Sequence, residues 1–408
     1  MMLSGITIVD FSQGEAGALS ALRLGDLGAN VIKVETGEGD WTRQCPPFMP
    51  GSEISAVFFG LNRGKRGIAV GPNPGAAAPV LQKLVQRADA LITDRTVQEL
   101  AEVGLAAVED DPCILYPRLV VANISGLGEK GPMASKPASE LQAQAMAGYT
   151  RSLGVLGEPA RRLGADVASV ATAAFTTQAI LAALYWRNRS GQGQKISLSL
   201  WNSLLSMKTI HLAAQSNPDR FEGPRCATAN GPVLRGYKTA DTPISFAMGG
   251  VVGKQGRPGW VPFCQELGMD ALIGDPRFDG TGRHDTGLGA NAIALKGEYE
   301  KYFVNIPSKV IVEKVRKYGG IASEFVKHDE LFESEQAKAL ELERRVPDGR
   351  GGEARIYAFP AHFSRSVLEH KGVAPGLGEH TREVVLEFGI TEAELDQAVR
   401  NGGLVVSE

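Results

Sequence analysis

Short β-branched runs alternate with helical runs over the first 130 residues, and that alternation limits the fold more than any other property of the chain. Ile6–Phe11 (ITIVDF), Asn30–Glu35 (NVIKVE), Arg66–Val70 (RGIAV), Ala90–Thr93 (ALIT) and Leu119–Ile124 (LVVANI) read as strands. Between them Ala16–Leu27, Ala76–Arg87 and Val97–Val103 read as helices, and Pro79 is tolerated because it falls in a first turn. Strands separated by helices at this spacing imply an α/β fold, with a mostly parallel, Rossmann-like sheet covered by helices on both faces.

Further along, Leu141–Tyr149 turns helical, and a second helix begins near Asp166. That helix ends at Ser190-Gly191-Gln192-Gly193, with Arg187 and Arg189 in its last turn. Val167–Trp186 carries no charge over a length that would span a bilayer. Its Ser169, Thr172, Thr176, Thr177 and Gln178 suit a tightly packed buried helix better than a lipid-facing one, so no membrane association is expected. Lys195–Leu200 alternates like a half-exposed strand, and Trp201–Gln215 reads as helix. From Asn217 the composition shifts to Pro, Gly and Arg, as a linker does, and the 408-residue length suits two domains or one large domain with an insertion. The boundaries expected are 1–216, a linker and smaller α+β domain over 217–332, and 333–408. The last part holds a polar helical run Glu333–Arg345, a strand-like Ile356–Phe359 and a helix over Glu392–Asn401.

A net charge of −3 offers no basic surplus for nucleic acid or an anionic membrane surface. Cys45, Cys113, Cys226 and Cys264 form no CxxC pair, so neither a zinc site nor a disulfide framework is signalled. The opening MMLSGITIVDF has no basic leader and no cleavage site, from which a cytoplasmic location is expected.

The turn after the first strand, Ser12-Gln13-Gly14-Glu15-Ala16-Gly17, offers GxxG rather than GxGxxG. It sets Glu15 where a pyrophosphate would rest, which reads as scaffold rather than as a dinucleotide site. Asp166 directly precedes the uncharged helix. It reads either as an ordinary N-cap or as a nucleophile kept ionised by helix amides and the helix dipole. Glu140 likewise opens a helix, either favouring its dipole or orienting a nucleophile. All six histidines lie at or beyond His211 with no HxH or HxxxH pair, so no metal site is expected. Gly249-Gly250-Val251-Val252-Gly253-Lys254-Gln255-Gly256 reads as a flexible loop, or as a lid whose amides hold an oxyanion.

Several segments, in order and at fitting distances, resemble the class III (CaiB/BaiF-type) CoA-transferases. They include the opening strand–helix–strand through NVIKVE, GDWTR, LNRGKRGIAV, SELQAQAMAGY, and GADVASV with its AILAALYWRNRSGQGQKISLSL continuation. WVPFCQELG, DPRF and APGLGEHTREVV follow. The resemblance implies a ring-shaped subunit whose C-terminal segment returns to the large domain, interlocked with a second copy as a homodimer. It also implies ping-pong transfer from an acyl-CoA donor to a small carboxylic acid acceptor, with the coenzyme A thioester as substrate and no permanently bound cofactor. By matching position Asp166 is the nucleophile, passing through an acyl–aspartyl anhydride and an aspartyl-CoA thioester. Glu140 supports it, and Gly253 and Gly256 belong to the loop that closes over the intermediate. CoA contacts are implied at Glu15, Ala16, Val70, Asn73, Asp94, Arg95 and Ser139.

The chain departs from the formyl-CoA transferase pattern at several points. Lys254 and Gln255 interrupt the glycine loop, Ser139 replaces a tyrosine, and Glu15 replaces a glutamine. Thr36 and Glu102 replace arginines that contact CoA, which leaves Lys65, Arg66 and Arg95 as cations to meet the phosphates. Arg43, Arg161, Arg162 and Lys254 are candidate partners for the acceptor carboxylate. Two alternatives stand beside the transferase reading. One is an acyl-CoA racemase or epimerase of the same fold, for which the expected histidine near Glu140 is missing; the other is a non-catalytic CoA-binding paralogue.

Overall fold

The computed structural model describes residues 1–105, 115–134, 136–150, 159–214, 216, 236–248, 259–277 and 292–407. Two compact units emerge. The first comprises Met1–Ala147, Leu163–Ile210 and Lys338–Glu408; the second comprises Gly148–Arg162 and His211–Ala337.

The first unit is built on a seven-stranded sheet. Its strands are β1 (Thr7–Phe11), β2 (Asn30–Thr36), β3 (Arg66–Val70), β4 (Ala90–Thr93), β5 (Val120–Ser125) and β6 (Lys195–Ser199), with Leu404–Val405 as the seventh. The order is 3-2-1-4-5-6, all parallel, and Leu404–Val405 pairs antiparallel on the outer edge of β3. β1, β2 and β4 are buried almost end to end because helices cover both faces, with the charged Asp10, Lys33 and Glu35 buried along with their apolar neighbours. Among those helices are α1 (Glu15–Asp26), α2 (Ala56–Asn62), α3 (Ala78–Arg87) and α4 (Val97–Glu102).

The apolar segment after Asp166 is a single long helix, Val167–Ser190, closed by Gly191 at φ 76°. Although long and apolar enough to cross a membrane, it packs its Ala168, Ala173, Ile180, Ala183 and Leu184 face inward. Ser20 of α1 and Thr177 share a hydrogen bond of 3.2 Å. The Thr172, Thr176 and Thr177 hydroxyls donate to carbonyls one turn back, which satisfies hydroxyl groups that packing removes from water. Arg187 is buried and donates to Asp89 Oδ1 at 2.7 Å, so it ties the helix to the loop before β4 rather than serving only its C-terminal dipole.

Two expected elements differ and one strand is added. Trp201–Gln215 is two short helices, Leu200–Ser206 and Thr209–Ala214. Glu333–Arg345 is helical only over Glu335–Ala339; Glu343–Pro347 then pairs with Glu353–Tyr357 as an antiparallel hairpin. The C-terminal segment adds the edge strand Leu404–Val405.

In the second unit an antiparallel pair of strands, Ile244–Ala247 with Ile321–Glu324, packs against three helices. Its core is aromatic: Phe246 contacts Tyr237, Phe263, Tyr299 and Phe303, and Trp260 Nε1 donates to the Tyr299 hydroxyl at 2.7 Å.

Candidate active site

In a sheet of this order the strand sequence reverses between β1 and β4, and ligands bind outside the carboxyl ends of the strands at that point. The loops leaving β1 and β4 meet there, with Gln13 N donating to Asp94 Oδ2 at 3.0 Å.

The β1 loop rests on a sealed charge network. Lys33, wholly buried in β2, donates to Asp40 Oδ2 at 2.9 Å and to the Ser12 carbonyl at 2.6 Å. Lys65 donates to Asp10 Oδ2 at 2.8 Å, to the Ala18 carbonyl at 2.9 Å and to Asn62 Oδ1 at 2.8 Å. Burial pushes the Asp10 carboxyl up, but Lys33 and Lys65 outweigh it and bring it to about 2. Burial pushes the Lys65 ammonium down to about 8 despite Asp10. Both glycines of the GxxG turn have steric reasons. Gly14 sits at φ 70°, and a Cβ on Gly17 would lie 2.1 Å from Ser12 Oγ. Glu15 and buried Ala16 thus open α1 in a fixed position.

Asp166 occupies the N-cap of the long helix, yet its side chain makes no capping hydrogen bond. Glu140 does the capping from 26 residues upstream. Its Oε1 accepts from Ala168 N at 2.8 Å and Gln144 Nε2 at 2.9 Å; its Oε2 accepts from Ser169 N and Ser169 Oγ, both at 2.9 Å. Gln144 is itself fixed by the Ala165 carbonyl and by Leu163 N, so the segment leading into Asp166 is held from two sides. Ser139 precedes this pair as an exposed N-cap whose backbone N donates to Gln142 Oε1 at 2.6 Å.

The third carboxylate is Glu15. Burial, then the neighbouring Asp166 and Glu140 carboxylates, push its carboxyl up from 4.5 to about 7. Of these three carboxylates, the sequence singled out Glu140 and Asp166 for the chemistry and Glu15 only as a CoA contact. The signal available for Glu15 was its place one residue after the β1 turn.

At the ends of β1 to β3 lies a cavity of about 510 Å³ lined by Phe11, Thr36, Val70, Arg95, Glu99 and Glu102 among others. Val70 and Arg95, two of the residues named as CoA contacts, line this cavity. Arg95 lies over the Phe11 ring at 5.3 Å, and its buried Nε has no hydrogen-bond partner. Asn73 instead serves the C-terminal segment, donating to the Asn401 carbonyl at 3.0 Å. The expectation that Lys65 or Arg66 would meet phosphates is corrected. Lys65 is consumed by Asp10, Ala18 and Asn62, and Arg66 at the opposite end of β3 pairs with Glu383 and Glu387. Arg43 is engaged as well, gripping Glu35 with two hydrogen bonds of 2.7 Å and stacking 3.7 Å from the Phe58 ring. Arg161 and Arg162 belong to the second unit. Gly253, Lys254 and Gly256 lie outside the described residues. No group of three or more His, Cys, Asp or Glu suited to a metal occurs among the described residues.

The family model described as "CoA-transferase family III" matches residues 3–381. A formyl-CoA:oxalate CoA-transferase of Streptomyces coelicolor is 26% identical, covering 99% of both chains. A mouse succinyl-CoA:glutarate CoA-transferase is 28% identical over 94% of this chain and 86% of its own. Among solved structures, a CaiB/BaiF family protein from Brucella suis superimposes with a TM-score of 0.81 over 95% of this chain and 99% of its own, at 24% identity.

Proposed function

This chain belongs to CoA-transferase family III, and from that membership we propose that it moves CoA from an acyl-CoA donor to a small carboxylic acid through covalent intermediates on Asp166. One observation carries the reading: Glu140 satisfies the Ala168 and Ser169 amides, so the carboxylate at the N-cap is not spent on capping. A nucleophile at that position keeps the favourable end of the helix dipole without paying to break a cap bond at every turnover.

The steps balance without any net proton. The Asp166 carboxylate attacks the donor carbonyl, the C–S bond breaks, and CoA thiolate leaves an acyl–aspartyl anhydride. The thiolate then attacks the aspartyl carbonyl and expels the donor acid as its carboxylate, leaving aspartyl-CoA thioester. The acceptor carboxylate attacks that thioester and frees thiolate, which finally attacks the acceptor carbonyl of the second anhydride and restores Asp166. Because charge passes only between carboxylates and thiolate, no proton shuttle is required. That fits a site assembled from carboxylates and amides, whereas a racemase needs a base to remove an α-proton. The cavity at the switch point is the place proposed for the CoA nucleotide, with Arg95 toward its phosphates. The proposal includes a homodimer, which light scattering on the purified chain tests directly.

The decisive experiment mixes the protein with pooled acyl-CoA thioesters and hydroxylamine, then maps modification by peptide mass spectrometry. A thioester-dependent hydroxamate on Asp166, absent in Asp166→Asn, is expected. A chain that binds CoA but never labels would instead support the non-catalytic reading.

A further inference from the structure

The cavity of about 510 Å³ at the ends of β1 to β3 lies wholly within the first unit, and its size suits a nucleoside. Phe11, Val70, Pro72, Pro74 and Val103 give it apolar walls. Its charges are unbalanced. Glu38, Glu99 and Glu102 line it, and Arg95 is the one cation among the described residues that do. That cation is already shared. Its Nε lies 3.7 Å from Asp94 Oδ1, and one terminal nitrogen lies 3.6 Å from Glu99 Oε1. Both distances exceed hydrogen-bond length, and the buried Nε has no hydrogen-bond partner. Arg95 therefore keeps donors for one incoming acceptor, with the Phe11 ring 5.3 Å beneath it. Glu99 is fixed at the cavity, because its Oε2 accepts from Thr96 N at 2.8 Å and Thr96 Oγ1 at 2.9 Å in the capping box of α4. Glu102 stands three residues further on the same helix, on the neighbouring turn.

The nucleotide end of CoA is strongly anionic. It carries a diphosphate and, on the ribose 3′-oxygen, a phosphate monoester that is mostly dianionic at neutral pH. A protein that reads such a monoester supplies arginine or lysine donors to it. Here Arg95 can meet one phosphate, which the diphosphate takes, and what remains along the cavity is Glu38, Glu99 and Glu102. We propose that this cavity does not recognise the 3′-phosphate, so that the protein takes acyl thioesters of 3′-dephospho-CoA at least as readily as those of CoA. The inference rests on placing the nucleotide in this cavity, and it narrows that reading by naming the class of thioester admitted. The chemistry at Asp166 is unchanged, since the 3′-phosphate takes no part in the bonds made or broken. The carboxylates act on the nucleotide through charge alone, which disfavours the more anionic ligand.

The test compares CoA and 3′-dephospho-CoA as ligands of the whole protein by calorimetry, at about 20 mM and about 300 mM salt. At low salt dephospho-CoA is expected to bind as tightly as CoA or more tightly. Salt screens repulsion, so raising it should improve CoA relative to dephospho-CoA by about threefold. Glu102→Gln removes one rim charge and at low salt should tighten CoA about threefold, with less than about a 1.5-fold effect on dephospho-CoA. Low-salt binding of CoA more than about twofold tighter than dephospho-CoA overturns the proposal, as does a CoA preference that grows when salt falls, since both report cations reading the 3′-phosphate. Binding of neither thiol overturns the placement of the nucleotide and the proposal with it. In parallel, the same acyl groups are offered as CoA and as dephospho-CoA thioesters with hydroxylamine, and hydroxamate on Asp166 is expected from both. Labelling by the CoA thioesters alone refutes the proposal and leaves the transferase reading intact. Labelling by neither, in protein that binds both thiols, sinks the transferase reading and leaves the nucleotide preference to be decided by the calorimetric ratio.

Discussion

Replacing Glu140 by glutamine tests the central geometric claim with almost no change in size. One carboxylate oxygen becomes an amide NH2, while four donors still point at the side chain. The Ser169 hydroxyl can turn to accept, and the Gln144 amide can flip. The two backbone N–H groups cannot. Whichever way the new amide lies, Ala168 N or Ser169 N is left facing a donor. A partly buried amide without its acceptor costs about 1–3 kcal/mol, and loss of a helix N-cap typically about 1 kcal/mol. We therefore expect destabilisation of about 2 kcal/mol, seen as a fall of about 4–8 °C in melting temperature for a unit of this size. The functional loss has a separate origin. With Glu140 weakened, the Asp166 carboxylate becomes the nearest acceptor for the orphaned amide. A nucleophile engaged that way gives up about 1.4 kcal/mol or more on attack, about a tenfold loss in the rate of thioester-dependent hydroxamate formation. Thermal melting and timed peptide mass spectrometry on the same preparations read both effects. A Glu140→Gln protein that melts with the wild type and labels at the wild-type rate would refute the idea that Glu140 relieves Asp166 of capping.

Three further outcomes are expected. Glu15 has a folded pKa raised from 4.5 to about 7, so the native state holds a proton that the unfolded chain has released; this stabilising contribution is full below about pH 4.5 and lost as pH rises through 7. Glu15→Gln should then match the wild type near pH 5 and gain about 1–2 kcal/mol over it at pH 8, after allowance for partial exposure, in urea titrations at the two pH values. Arg95→Ala should weaken CoA binding about tenfold or more by calorimetry, because a charged hydrogen bond to phosphate contributes about 1.5–3 kcal/mol; unchanged affinity would remove Arg95 from the nucleotide site. Gly17→Ala should cost about 1–3 kcal/mol in denaturant unfolding, because the added methyl displaces Ser12 from its 2.5 Å hydrogen bond to Asp10.

Much of the sheet was legible because its signals are local. Unbroken runs such as ALIT and RGIAV can bury both faces, and the strands observed at Ala90–Thr93 and Arg66–Val70 coincide with those runs. The position of Asp166 at a helix start was legible for the same reason. Which carboxylate caps that helix was not. The capping residue is Glu140, and no local pattern links it to amides 28 and 29 positions later. The Lys33–Asp40 and Lys65–Asp10 pairs escaped in a similar way, although a clue was present. A lysine inside NVIKVE, in a strand covered on both faces, has to be paired, since an unpaired buried ammonium is far too costly. The edge strand Leu404–Val405 is only two residues long, and its partner β3 lies more than 330 positions away, beyond any periodicity argument.

The site's chemistry depends on a distinction that residue type cannot express. Asp166, Glu140 and Glu15 are all simple carboxylic acids, and in water their proton affinities differ by only a few tenths of a pH unit. Their surroundings separate them. Four donors bind Glu140, Asp166 stands at the N-cap of the long helix, and burial with two neighbouring carboxylates pushes the Glu15 carboxyl up to about 7. A carboxylate nucleophile working on a carboxylate substrate faces repulsion of its own kind at every step, and cations would be the obvious remedy. Here Lys33 and Lys65 are used up beneath the β1 turn, and the cavity at the ends of β1 to β3 is rimmed by Glu99 and Glu102.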